Sequence, residues 1–374
     1  MSASAFFILL AVFWFAYANG ANDNFKGAAT LFGSATAEYR RALRWATGAT
    51  FLGSLAALAL GAGLIQTFSG KGLVPDATVA DPSFLIAVAA GGAGTVLLAT
   101  RIGFPISTTH ALLGALLGAG VAVHGPGGIN LTGLGTSFLL PLLASPLLAL
   151  GLTAVIYPAA HRLRLALAIT QETCVCIGEE VQVIAIEPSR NQAAVAATDR
   201  TVSLTVGVEQ ECFQRYAGSL AGVNVQAALD RLHYLSAGAV SFARGLNDTP
   251  KITALLITAQ AFNLPIGIGL TAVAIALGGL IGARRVAETM SHKITPMNHG
   301  QGLTANLITS GVVIFASKLG LPVSTTHVSC GSLFGIGALT GRARWKMIGA
   351  ILLAWVTTLP VAALFAAIVV MARR

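Results

Sequence analysis

Five apolar stretches, Trp45 to Gln66, Phe84 to Thr100, Leu134 to Tyr157, Pro265 to Gly282 and Met347 to Met371, limit what this chain can fold into. Each approaches or exceeds the roughly 17 to 25 residues that a helix needs to cross a bilayer. Only helices and closed barrels satisfy their backbone hydrogen bonds inside lipid, and these stretches lack the period-two alternation of barrel strands. They read as helices, so the expected class is an all-α integral membrane protein. Composition agrees, with 55% of the 374 residues hydrophobic and 10% charged, against roughly a quarter charged in soluble domains. The formal net charge of +9 would point to nucleic acid in a soluble protein, yet the bases sit in short loops between spans, where positive charge reports orientation. Membrane lipid is the expected surrounding, and nucleic acid is not an expected partner. Met1 to Gly20 lacks a basic n-region and runs into a polar motif that recurs later, so it is expected to belong to the mature protein.

Two polar motifs occur twice, in the same order. The first copy reads Gly20-Ala-Asn22-Asp23-Asn-Phe-Lys26, then Pro105-Ile-Ser107-Thr108-Thr109-His110; the second reads Gly245-Leu-Asn247-Asp248-Thr-Pro-Lys251, then Pro322-Val-Ser324-Thr325-Thr326-His327. Ser145-Pro146 and Thr358-Leu-Pro360 fall at similar places in a final apolar span. The expected organisation is a first transmembrane repeat over 1–163, a soluble insert over 164–231, and a second repeat over 232–374. About five crossings per half make the second repeat inverted. Charge agrees, because Arg40, Arg41, Arg44, Arg101, Arg162 and Arg164 fall on the same expected side as Arg284, Arg285, Lys293, Arg342, Arg344 and Lys346. By the positive-inside rule that side is cytoplasmic. The insert, with alternations such as Val181 to Ile186, reads as β-rich. Its Cys174 and Cys176 are too few for a zinc site of familiar spacing, and the four cysteines of the chain are too few for a disulfide framework. No metal site is expected.

Ser4 to Ala37 as one helix would be about 50 Å long, against a hydrocarbon core of about 30 Å. A break is expected at Gly20-Ala-Asn22-Asp23, and a matching one between Gly245 and Pro250 in the segment Tyr234 to Phe262. Broken helices with polar residues at mid-depth are how transporters build binding sites. Buried ionisable groups in a membrane cost at least about 2.5 kcal/mol each, so Asp23, Lys26, Asp248 and Lys251 need a reason to be there. A purely structural Asp–Lys pair on one helix face is the plainer alternative. Ser107, Thr108, Thr109 and their counterparts Ser324, Thr325, Thr326 read either as ordinary helix caps or, with the free N–H groups of a helix start, as a seat for a tetrahedral oxyanion.

These paired motifs resemble those of the inorganic phosphate transporter (PiT) family, over nearly both halves and outside the insert. Arg285-Val-Ala-Glu288-Thr289, Ile294-Thr295-Pro296-Met, Trp345 and Trp355 are further points of likeness. The resemblance implies alternating-access symport of inorganic phosphate in the cell (inner) membrane, driven by protons or sodium, with no organic cofactor and no catalysis. It assigns Asn22, Ser107, Thr108, Thr109, Asn247, Ser324, Thr325 and Thr326 to the anion, and Asp23 and Asp248 to the coupling ion; His110 and His327 are assigned to packing. The common family pattern reads Asn-Asp-Val-Ala-Asn, whereas a lysine takes the last position here in both copies. Lysine offers only donors and brings its own charge, so Lys26 and Lys251 are expected to replace sodium unless they snorkel towards water. Sulfate is the alternative substrate, and an intramembrane aspartyl enzyme built on Asp23 and Asp248 the alternative of another class. A homodimer is compatible with the architecture.

The topology is tested by thiol labelling. A cysteine placed near Arg190 should react with an impermeant reagent only from the cytoplasmic side and one near Asp76 only from outside; swapped labelling would overturn the inverted orientation.

Overall fold

The computed structural model describes residues 3–170, 172–184, 197–208 and 220–373. The longer helices among them are α1 (Ala3–Asp23), α2 (Tyr39–Leu60), α3 (Pro82–Ile102), α4 (Thr108–His124), α5 (Leu140–Ala166), α6 (Val225–Thr258), α7 (Leu264–Gly282), α8 (His299–Lys318), α9 (Thr325–Leu339) and α10 (Trp345–Met371). Among the described residues six stretches are long and apolar enough to cross a membrane: Ala3–Gly33, Tyr39–Leu60, Pro82–Ile102, Leu131–Ala166, Leu264–Gly282 and Trp345–Met371. Their ends follow from local chemistry. Asp81 accepts from the Ser83 N–H at 2.9 Å and Pro82 opens α3, while Gly103, at φ +82°, closes it in the left-handed region. Asn263 caps α7 in the same way, with a proline in the first turn.

The chain divides into two compact units, Pro158–Leu232 and a larger one that joins Met1–Tyr157 to His233–Arg374. In the smaller unit a three-stranded antiparallel sheet has the order β2-β1-β3, from β1 (Thr173–Ile184), β2 (Ala197–Val208) and β3 (Leu220–Asn224). Residues 185 and 186 of the expected alternation, and the insert position near Arg190, lie outside the described residues. Cys174 and Cys176, two apart on β1 and therefore on one face, are buried with their sulfurs 3.1 Å apart. Among the described residues no group of three or more His, Cys, Asp and Glu side chains is placed to hold a metal. Helix α5 runs on to Ala166 and α6 starts at Val225, so helix takes both ends of the range read as insert.

In the larger unit, elements of the two halves interleave. Association between helices in lipid relies on close packing at small residues, because lipid tails are as apolar as leucine. Four glycines hold the first pairs. A Cβ on Gly20 would lie 2.0 Å from the Ile275 carbonyl oxygen, and one on Gly278 1.9 Å from that of Tyr17, so α7 rests on α1. A Cβ on Gly245 would lie 2.0 Å from the Thr50 carbonyl oxygen, and one on Gly53 2.0 Å from that of Phe242, so α2 rests on α6. Gly20 and Gly245 stand two residues before the Asn of their motifs, and the two contacts match. The last helices follow the same pattern: Gly114 and Gly118 of α4 face Leu359 and Ala363 of α10, and Gly331 and Gly335 of α9 face Pro146 and Thr153 of α5. Basic residues from both halves share one end, where Arg285 donates to the Arg101 carbonyl, Arg344 to that of His292 at 2.8 Å, and Arg284 covers the Tyr39 ring at 4.6 Å.

One expectation needs correction. The first long segment does break, at the 3-10 turn Asn24–Ala28 just after Asp23, but α6 is continuous through Asn247, Asp248 and Pro250. Gly245 does not break the helix; it lets the Thr50 backbone approach. Pro250 lies inside α6, within a stretch buried on all sides from Ala243 to Leu256.

Replacing Gly20 or Gly245 by alanine should therefore lower stability by about 1 to 3 kcal/mol through overpacking. Gly151, where an added Cβ would meet nothing within 4 Å, is the control and should lose nothing as alanine. Thermal unfolding in detergent compares the three; equal melting temperatures would mean that the helices slide apart freely.

Candidate functional site

Asn22-Asp23-Asn24 places in a row three side chains that compete for backbone hydrogen bonds. The helix yields there, and Asn24 donates to Thr47 Oγ1 at 2.7 Å, which ties the 3-10 turn to α2. In the other half Asn247 and Asp248 stay helical. Pro105-Ile106-Ser107 and Pro322-Val323-Ser324 are non-helical lead-ins to α4 and α9. Ser107 accepts from the His110 N–H at 3.1 Å and Ser324 from the His327 N–H at 3.2 Å, so both hydroxyls act as N-caps.

The two helix starts meet. Thr326 Oγ1 donates to the Ile106 carbonyl at 2.8 Å, and Thr109 Oγ1 to the Val323 carbonyl at 3.4 Å. The His110 and His327 rings lie 4.6 Å apart, and His327 stacks on Trp355 at 3.8 Å. Each helix contributes the positive end of its dipole and its uncapped N–H groups to this centre.

Both lysines turn into it. Lys26 Nζ pairs with Asp23 and donates to Asn22 Oδ1 at 3.0 Å, the Ile106 carbonyl at 2.8 Å and Thr326 Oγ1 at 2.5 Å. Lys251 Nζ donates to the Val323 carbonyl at 2.7 Å and Thr109 Oγ1 at 2.9 Å, and lies 3.7 Å from Asp248. The two sets match in two members: each lysine takes a carbonyl from its own half and a threonine from the other, and Lys26 alone also bonds the Asn and Asp of its motif. Neither snorkels, since both are 2% exposed.

All twelve residues expected at the site are buried here. Asn22 uses its amide to hold the first lead-in, accepting from the Ile106 N–H at 3.2 Å and donating to Thr100 Oγ1 and the Phe104 carbonyl, each at 3.0 Å. Asn247 donates to Asp248 Oδ1 at 2.9 Å and to the Val323 carbonyl at 3.3 Å. Thr108 Oγ1 donates to Asp23 Oδ2 at 3.1 Å. Thr325 makes no side-chain hydrogen bond among the described residues. The centre is closed to solvent in this conformation.

Two members were not anticipated. Asn19 Nδ2 lies within hydrogen-bond distance of Thr108 Oγ1 (3.0 Å), Asp248 Oδ2 (3.2 Å) and Asp23 Oδ2 (3.3 Å), and so stands between the two carboxylates. Arg244, 1% exposed, donates through Nη2 to Asn19 Oδ1 at 2.6 Å. A charged residue inside an apolar segment is itself a signal, and Arg244 carries it in the sequence; Asn19 carries none beyond standing three residues before Asn22, as Arg244 does before Asn247.

A model of the family described as "Phosphate transporter family" matches residues 19–366. A putative phosphate permease of Thermococcus kodakarensis is 28% identical over 95% of this chain and 94% of its own length. A probable low-affinity inorganic phosphate transporter of Rhizobium meliloti is 28% identical over 96% of this chain and 94% of its own. Among solved structures, one titled "The sodium-dependent phosphate transporter" superposes with a TM-score of 0.77 at 20% identity, covering 100% of this chain and 99% of its own. At that identity the likeness concerns the fold.

Asp23→Asn should leave the Lys26 ammonium without its counter-charge and destabilise the protein by about 3 to 5 kcal/mol. Adding Lys26→Met should restore part of the loss. Melting curves of the single and double variants give the answer, and a double variant no better than the single would mean that the pair is not a unit.

Proposed function

The chain belongs to the phosphate transporter family, and on that premise we propose that it moves inorganic phosphate across the membrane by alternating access, coupled to protons and not to sodium. With six helices among the described residues long and apolar enough to span, it is a multi-pass membrane protein. The observation that carries the site assignment is the crossed arrangement of the lysines, each bonded to a threonine of the other half. It supports a centre shared by two inverted repeats, with an axis between the starts of α4 and α9. Two helix starts, two ammonium groups and the Thr109 and Thr326 hydroxyls meet there, with Thr108 and Thr325 in the same first turns, a donor-rich surround that suits a tetrahedral oxyanion. Asp23 and Asp248 supply acceptors for the protons that phosphate keeps and sulfate lacks. An aspartyl dyad shares a proton between carboxylates, whereas here the Asn19 amide donates to both, which favours transport over catalysis.

Proton coupling follows from the lysines. A sodium ion wants oxygen ligands, and at both sites where the resemblance puts a coupling ion a buried ammonium already stands beside the Asp, in contact at Asp23 and 3.7 Å away at Asp248. Radiolabelled phosphate uptake by the purified protein in liposomes should persist when choline replaces sodium, and should rise under an acid-outside gradient. Thr108→Ala and Thr325→Ala should each weaken phosphate affinity by about 1 to 3 kcal/mol. Uptake that stops without sodium would return the coupling to that ion; unchanged affinity in both threonine variants would remove the anion from this seat.

A further inference from the structure

Among the described residues, histidines aside, the buried ionisable side chains of acidic or basic type are five: Asp23, Lys26, Arg244, Asp248 and Lys251. All belong to the one centre. Two carboxylates face three cations, so with every group ionised the centre holds one excess positive charge. Arg244 is its source, and it breaks the match between the halves, because Asn19 stands at its counterpart position and is its nearest partner, at 2.6 Å. The guanidinium has no carboxylate to itself. Its Nη1 lies 3.4 Å from both Asn24 Oδ1 and Thr50 Oγ1, and its Nε makes no hydrogen bond, lying 3.7 Å from the Asp248 carboxylate that Lys251 also uses at 3.7 Å.

We propose that the centre selects a singly charged oxyanion, dihydrogen phosphate, that Arg244 sets this selection, and that Lys251 carries the proton that accompanies it, one proton per anion in an electroneutral cycle. This rests on the transport function proposed above and names its ionic form and stoichiometry. Loaded with a monoanion, the centre sums to zero. Emptied, it would keep an uncompensated positive charge in a low-dielectric interior, which is strongly disfavoured. Release of one proton from a lysine ammonium to the side where phosphate leaves restores neutrality, and the amine regains a proton from the other side with the next anion. A dianion such as sulfate leaves the loaded centre one charge negative.

The hydrogen bonds say which group gives up the proton. Arginine does not deprotonate. Lys26 has four acceptors around it, counting Asp23, and an ammonium has only three N–H donors, so losing one strands an acceptor. Lys251 has two, the Val323 carbonyl and Thr109 Oγ1, which the two N–H groups of a neutral amine satisfy. Facing Lys251 are Asp248 on its own helix, which it shares with Arg244, Asp23 from the first motif, His110 at the start of α4, and the Phe68 ring at 5.5 Å.

The experiment uses the full-length protein in liposomes, with radiolabelled phosphate, a pH gradient, and a potassium diffusion potential set by valinomycin. An acid-outside gradient of about one unit should accumulate dihydrogen phosphate about tenfold, the proton ratio itself. An imposed potential should leave accumulation unchanged, whereas one net charge moving through about 100 mV would shift it about fiftyfold. Arg244→Gln should lower phosphate affinity at least about tenfold, the effect of losing a charged partner, and its remaining uptake should rise with an inside-positive potential; Arg244→Lys keeps the charge and should stay insensitive to potential. Lys251→Met should lose accumulation driven by the pH gradient. Wild-type uptake that follows the potential overturns the electroneutral cycle and leaves phosphate transport standing, whereas wild-type liposomes that take up no phosphate overturn the transport function itself. Should Arg244→Gln fail to fold, the wild type and Arg244→Lys still decide, and a potential-sensitive Arg244→Lys refutes the charge role. Gradient-driven accumulation by Lys251→Met refutes Lys251 as proton carrier.

Discussion

An ammonium group buried in a membrane needs several acceptors at once, and Lys26 draws its own from both halves of the chain: Asn22 and Asp23 beside it, the Ile106 carbonyl of its own half, and Thr326 of the other. Breaking a buried pair by removing one partner costs about 3 to 5 kcal/mol, so the helix starts cannot part at this point without replacement partners. Lys251 binds the counterparts of two of these, the Val323 carbonyl and Thr109. The rest of the large unit is arranged so that these contacts can form. Lead-ins of Pro-x-Ser keep carbonyls 106 and 323 out of any helix and turned to the lysines, and the N-caps at Ser107 and Ser324 start α4 and α9 where the hydroxyls are needed.

Close packing follows from the same requirement. Polar centres at mid-depth are isolated from water only if the surrounding helices leave no gap, and lipid provides no hydrophobic drive to press them together. Gly20, Gly53, Gly245 and Gly278 let backbones touch on either side of the charged cluster. Because α7 rests on α1 and α2 on α6, each motif helix is wedged by the second helix of the other half. The crossing last helices do the same for the short ones: α10 flanks α4, and α5 flanks α9.

Much of this was legible in the residues. Span lengths, the order of the motifs and the shared side of the arginines come from hydropathy and spacing, which are properties of a single segment. The lysines drawn against Asp23 and Asp248 were also foreseeable, since three residues along a helix put side chains on one face. What spacing cannot express is a partner from the other half. The role of Asn19 depends on where Asp248 arrives, 229 positions away. Arg244 was detectable as a charge in an apolar segment, but its lack of a dedicated carboxylate was not. The continuity of α6 through Pro250 escaped for a related reason: a proline predicts the loss of one backbone bond, and only tertiary contacts decide whether the helix breaks over it.

Matched backbone and unmatched charge act on different parts of the problem. On the proposed inverted arrangement, halves of equal fold allow one protein to present its centre to either side in turn. A centre equal in charge as well, with Asn at both 19 and 244, would hold two lysines against two aspartates and sum to zero, with no electrostatic reason to prefer an anion. The arginine in one half alone supplies that reason without disturbing the packing, because its guanidinium is received by the Asn19 amide at the counterpart position. The same asymmetry loosens one lysine. Asp248, placed between Arg244 and Lys251 at 3.7 Å from each, binds neither as Lys26 is bound by Asp23. On that proposed arrangement the two halves take comparable positions around the centre, and the one unmatched charge, Arg244 opposite Asn19, makes their two lysines chemically different.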